Sequence, residues 1–189
     1  MQEKQLLALN IPPESELSDK TKAYFALCEE KLGLVPNVLQ AYAFNEDKLR
    51  AFTTLYNDLM LGESAVSKLQ REMIAVVVSN ANSCFYCLAA HGAAVRELSG
   101  DPMLGEMMVM NYRVAELEPK ERAMLDFAWK LTKTPAEIVD EDRDRLRDVG
   151  WSDRDIWDIA NVCGFFNMTN RVAAASDMQP NGEYHASHR

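Results

Sequence analysis

Glu72-Met-Ile-Ala-Val-Val-Val-Ser-Asn-Ala-Asn-Ser-Cys84-Phe-Tyr-Cys87-Leu-Ala-Ala-His91 is the stretch that organises this chain. A helix is expected over Ser67 to Ser79, with Leu69, Met73, Val76 and Val77 at helical spacing as its core face. Asn80-Ala-Asn82-Ser83 interrupts it with residues that favour caps over helix interiors. A second helix is expected over Cys84 to Leu98, closed by Gly100, with Ser83 or Asn82 as its cap. If the two helices pack antiparallel across this short break, the carboxylate of Glu72, twelve residues before Cys84, comes back toward His91.

The second helix carries the chemistry. Cys84, Cys87 and His91 stand at i, i+3 and i+7. At roughly 100° per residue they fall within an arc of about 60°. Both cysteines lie at the helix start, where N–H groups and the helix dipole favour a thiolate. His91 can take or return a proton, and Glu72 can fix its tautomer. This is a nucleophile, a base and an orienting carboxylate. Two thiols at this spacing can close a disulfide without unfolding the helix, which suits thiolate attack on a peroxide, a sulfenic acid, then a disulfide. The i, i+4 contact with His91 favours Cys87 as the activated thiol, with Cys84 more exposed and left to resolve or to exchange with a donor. The dipole favours the opposite assignment. Two other readings use the same residues: a structural zinc held by Cys84, Cys87, His91 and a fourth ligand, or a cofactor-free lyase or isomerase with Glu72 and His91 as acid and base.

Working outward, the rest of the chain also reads as helices. Only eight glycines and seven prolines occur, and strong helix formers dominate. A first helix is expected after a Ser18 cap and ends near Gly33. A short one covers Asn37 to Phe44. The next, Glu46 to Met60, has Leu49, Phe52, Leu55, Tyr56 and Leu59 on one stripe. Further helices are expected around Pro102 to Met110, from Pro119 to before Pro135, over Glu141 to Val149, and from a Ser152 capping box through about Ala175. Lys68-Leu-Gln-Arg71-Glu72-Met73 and Pro119-Lys-Glu-Arg122-Ala123-Met124 form a short internal echo. The expected organisation is one helical domain over 1–189, with an N-terminal arm of about 1–17 and a frayed polar tail of about 178–189 that includes His185 and His188. Cys28 and Cys163 are expected to be inert core.

Composition narrows the function classes. The chain has 189 residues and 48% hydrophobic content, ordinary for a globular protein. The apolar run Ile74–Val78 is far too short to span a bilayer. The N-terminus lacks the basic start and apolar core of a secretory signal, so a cytoplasmic protein without a membrane partner is expected. A net charge of -9 with no basic cluster argues against nucleic acid. Four cysteines in a reducing compartment are too few for a disulfide scaffold.

Glu72, Cys84, Cys87 and His91 at these spacings resemble the alkylhydroperoxidase D family, within the wider carboxymuconolactone decarboxylase-like group. Gly33-Leu-Val-Pro36-Asn37 and Phe166-Asn167-Met-Thr-Asn170-Arg171 resemble its peroxidase-related subgroup. The resemblance implies an all-α helical fold and a homo-oligomer, a trimer or hexamer. It implies a proton relay from Glu72 through His91 to the redox pair Cys84 and Cys87, with no cofactor and no metal. It implies hydroperoxide reduction driven by a dithiol donor, such as a lipoyl-bearing or thioredoxin-like protein. One departure stands out: alkylhydroperoxidase D proper has a histidine before the second cysteine, where this chain has Tyr86. The decarboxylase branch works without a cysteine pair, so the pair argues against decarboxylation.

Overall fold

The computed structural model describes residues 5–189, and among them there are nine α-helices and no strand. They are α1 (Asp19–Leu32), α2 (Asn37–Tyr42), α3 (Glu46–Leu61), α4 (Lys68–Ala81), α5 (Phe85–Ser99), α6 (Pro102–Asn111), α7 (Pro119–Lys133), α8 (Asp140–Asp148) and α9 (Asp153–Ala175). No helix among the described residues is long and apolar enough to cross a membrane.

Local chemistry sets most boundaries. The Ser18 side chain accepts the Thr21 N–H at the start of α1, and Gly33 ends it in the left-handed region at φ 72°, which a Cβ would disfavour. Ser67 and Gln70 form a capping box on α4, and Ser152 and Asp155 form one on α9.

Helix α4 is the centre of the bundle. It packs against α3, α5, α6, α7 and α9. Every residue from Arg71 to Ser79 is buried, so α4 has no solvent face in that span. This corrects the expectation of a one-sided helix: the apolar run Ile74–Val78 leaves no polar side, and neighbours cover it all round. On α3, Leu49 and Phe52 are buried, but Leu55 is 45% exposed and Met60 takes a core position instead. The stripe is therefore narrower than its periodicity suggests.

The internal echo has a physical basis. Arg71 donates to the carbonyls of Val66 (2.7 Å) and Leu59 (3.2 Å), and Arg122 donates to those of Tyr112 (3.1 Å) and Ala115 (2.6 Å). Each arginine ties the segment before its helix to the helix start. Met73 and Met124 are both buried in the core.

The tail differs from its expected frayed state. Gly182–His185 form a 3-10 turn, and Asn181 binds the α2 region through Asn37 N–H to Oδ1 (2.7 Å) and Nδ2 to the Val35 carbonyl (3.0 Å). His185 stacks on Phe85, and His188 lies 3.6 Å from Glu97. Polar composition here marks a segment tied by hydrogen bonds instead of one that is free.

Candidate functional site

The α4–α5 hairpin is built around an unusual turn. Ser83 sits in the left-handed region at φ 54°, costing about 1 kcal/mol for a residue with a Cβ. The cost is offset where the chain reverses: the Ser83 N–H reaches the Asn80 carbonyl (3.0 Å) and the Cys84 N–H reaches that of Ser79 (2.9 Å). Neither Ser83 nor Asn82 caps α5. Cys84 itself occupies the N-cap position, with extended backbone, and Cys87 falls in the first turn. The Asn82 amide instead donates to Asn167 (3.1 Å) and Asn170 (3.0 Å) on α9.

Within this frame the four predicted residues come together on one hairpin. His91 Nδ1 lies 2.6 Å from Glu72 Oε2, with both side chains largely buried. The short break returns α5 antiparallel along α4, which brings these side chains level despite a separation of 19 positions in sequence. The His91 ring meets Phe166 edge-on at 4.6 Å between centroids, fixing its plane. With Nδ1 committed to the carboxylate, Nε2 is the ring atom left for proton exchange.

Both sulfurs are enclosed: Cys84 is 3% and Cys87 4% exposed. The expectation that Cys84 is the more accessible thiol is therefore overturned, because its N-cap position faces the packed turn and not solvent. The Cys84 thiol is pulled down to about 7, foremost by a hydrogen bond from the Cys87 thiol. Burial opposes this, while the Cys87 and Tyr86 N–H groups and the nearby His91 ring add to it. Cys87 is pushed up, first because it is the donor in that hydrogen bond, then by burial and the nearby Cys84 charge. As the pair ionises, the negative charge is favoured on Cys84 and the remaining proton on Cys87.

Two residues beside the pair had no role assigned from the sequence, although Asn170 falls in the Phe166–Arg171 motif. Ser79 and Asn170 both hydrogen-bond Cys87 and oppose its upward shift. Asn170 Nδ2 also donates to Ser79 Oγ at 3.1 Å, deep in the α4–α9 contact. The available signal was polar residues on otherwise buried helix faces.

A cavity of about 530 Å³ opens beside the pair. Glu72, Cys87 and His91 line it; Cys84 does not. Its other walls are mainly aromatic and aliphatic, including Phe52, Tyr56 and Phe165. Cys28, expected as inert core, is buried but forms part of this wall, hydrogen-bonded to Tyr24. Cys163 is fully buried, and its thiol is pushed up to about 12 by burial. Tyr86 does not act toward the thiols through its hydroxyl, which accepts the Val38 N–H at 3.0 Å and pins α2 to α5. Among the described residues no group of three His, Cys, Asp or Glu side chains is arranged to hold a metal ion.

The carboxymuconolactone decarboxylase family model matches residues 46–102, which contain the hairpin. No curated protein matches the sequence. Among solved structures, an uncharacterized peroxidase-related protein from Silicibacter sp. TM1040 is 66% identical, with 100% of this chain and 99% of that one covered and a TM-score of 0.97. An uncharacterized peroxidase-related protein with an alkylhydroperoxidase AhpD core, from Ralstonia eutropha JMP134, is 37% identical over 99% of this chain and 98% of that one, with a TM-score of 0.93. The debrominase Bmp8, solved with 2,3,4-tribromopyrrole, is 22% identical over 93% and 94% of the two chains, with a TM-score of 0.78, and shares the fold.

Proposed function

The chain belongs to the alkylhydroperoxidase D-like, peroxidase-related group of the carboxymuconolactone decarboxylase-like family, and from that premise we propose that it is a thiol-dependent peroxidase working through a reversible Cys84–Cys87 disulfide. The observation that carries this is the shared wall: Cys87, hydrogen-bonded to a low-pKa Cys84, lines the same cavity as the His91–Glu72 pair.

The proton and the charge exchange across the hydrogen bond between the sulfurs, so that Cys87 becomes the thiolate facing the cavity and Cys84 the thiol. The Cys87 thiolate attacks the outer oxygen of a hydroperoxide. An S–O bond forms, the O–O bond breaks, and Cys87 becomes a sulfenic acid. The departing alkoxide takes a proton from His91 Nε2, while Glu72 stabilises the imidazolium beforehand and holds its tautomer. The Cys84 thiol then displaces hydroxide from the Cys87 sulfur, and its proton leaves with that hydroxide as water. One hydroperoxide and two thiols become an alcohol, water and a disulfide. His91 regains its proton from solvent.

Regeneration needs an external dithiol that passes both protons and electrons to the pair. With both sulfurs enclosed, a slender arm of the lipoyl type reaches them more readily than a broad protein face. A homo-oligomer belongs to the same reading. Trp157, which is 68% exposed, lies on one stripe of α9 with the exposed Met168 and Val172, an apolar face suited to a second copy.

The test is steady-state hydroperoxide turnover with a dithiol donor. Cys84→Ser and Cys87→Ser each lose about a hundred-fold or more of the activity. Full activity in Cys84→Ser would exclude the disulfide mechanism.

A further inference from the structure

The outer wall of the cavity comes from the C-terminal segment. Tyr184, Ser187 and His188 all line it, opposite walls built by α1, α3, α5 and α9. Tyr184 lies within electrostatic reach of both Glu72 and Cys28. The segment is therefore next to the reacting groups, although it is the last part of the chain.

How it is held distinguishes it from the rest of the bundle. No residue of the Gly182–His185 turn is buried. Apart from the His185–Phe85 stack, the ties are polar. Arg96, itself buried, donates through Nε to the Ser187 carbonyl (3.0 Å) and through a terminal nitrogen to the Tyr184 carbonyl (2.7 Å). Asn181 makes the two contacts to the α2 region described above, and Arg189 reaches Glu106 at 2.7 Å. Room for Arg96 is provided by Gly105 on α6, where a Cβ would run into Arg96 Cγ. A segment held by a few hydrogen bonds and little apolar burial opens at a small fraction of the global unfolding free energy. Its carbonyl anchors fix the backbone and leave the inward side chains to shape the cavity.

We propose that residues 181–189 form a strap that gates the cavity, with Arg96 and Asn181 as its clasps and Tyr184 as the side chain that sets the size of the molecule admitted. Closed, the strap shuts an apolar chamber over Cys87 and His91. Open, it admits a bulky apolar hydroperoxide and the reducing arm. The selectivity of Tyr184 rests on the peroxidase reading; the gate does not.

Cys28 reports the gate without any turnover. In a full-length Cys84→Ser/Cys87→Ser background, Cys28 is the cavity thiol, and fully buried Cys163 is an internal control for global unfolding. Arg96→Gln and, separately, Asn181→Ala are expected to raise the rate of Cys28 labelling by N-ethylmaleimide about ten-fold, with Cys163 unlabelled. The Asn181 variant keeps the test valid if the Arg96 variant does not fold. Labelling within two-fold of the parent in the folded variants, or simultaneous labelling of Cys163, overturns the gate. For selectivity, Tyr184→Ala in the otherwise native chain is expected to change the ratio of kcat/KM for cumene hydroperoxide over hydrogen peroxide about five-fold, with Tyr184→Phe restoring the native ratio. An unchanged ratio overturns the role of Tyr184. Absence of any hydroperoxide turnover in the native chain overturns both the peroxidase reading and the selectivity built on it, while the labelling result decides the gate by itself.

Discussion

Glu72 Oε2 and His91 Nδ1 lie 2.6 Å apart across the α4–α5 hairpin. The contact joins two helices at the level of the cavity and leaves one imidazole nitrogen for proton transfer. Both side chains are largely withdrawn from water, so a carboxylate here orients and stabilises far more than it would on a surface.

Glu72→Gln keeps the volume and removes the charge. It loses the partner that stabilises an imidazolium and fixes its tautomer. Hydroperoxide kcat/KM is expected to fall about 10²-fold, within the range for disabling acid–base assistance. Circular dichroism should stay native. Retention of more than half of the activity would show that His91 acts without its carboxylate.

The pH dependence of thiol reactivity follows from the lowered Cys84 pKa. A thiol titrates to thiolate as pH rises, so a downward shift moves reactivity into the neutral range. The ultraviolet absorbance of the Cys84 thiolate, taken as the difference from Cys84→Ser, is expected to rise with pH to a midpoint near 7. In Cys87→Ala the hydrogen bond that most stabilises the thiolate is gone, and the midpoint moves up toward the ordinary 9.0. A midpoint that stays put in the variant would assign the shift to the helix N-terminus and His91 instead.

Asn170 tests the polar layer behind the pair. Asn170→Leu removes the donor to Ser79, the acceptor for Asn82 and the hydrogen bond to Cys87. Leaving these buried partners unsatisfied costs about 1–3 kcal/mol. For a chain of this size that is a fall in Tm of about 2–12 °C at about 2–4 °C per kcal/mol. Hydroperoxide turnover should drop as well, because Cys87 becomes harder to ionise. Unchanged Tm and turnover would show that the network is dispensable.

Much of the fold was legible because local signals and burial agree. The Ser18, Ser67 and Ser152 caps and Gly33 mark helix ends through bonds made within a few residues. The Glu72–His91 approach was legible because the short break read at Asn80–Ser83, three residues (82–84) in the structure, leaves the two helices little choice but to return antiparallel. Other features depend on distant partners. Burial of α4 on all sides comes from neighbours far along the chain, including α7 and α9. Asn170 and Ser79 gain meaning only when α9 crosses α4. The polar 181–189 segment looks like a free tail until Arg96 and the α2 region take up its carbonyls and its asparagine. Cys84 could not be placed from periodicity, because it sits just outside the helix that its spacing was measured on.

The most direct test counts thiols. Denatured, fully reduced protein contains four. After one equivalent of hydroperoxide, with excess removed, the account predicts two remaining thiols, at Cys28 and Cys163, and a tryptic fragment in which Cys84 and Cys87 are joined. Four surviving thiols, or loss of thiols without a Cys84–Cys87 link, would contradict it.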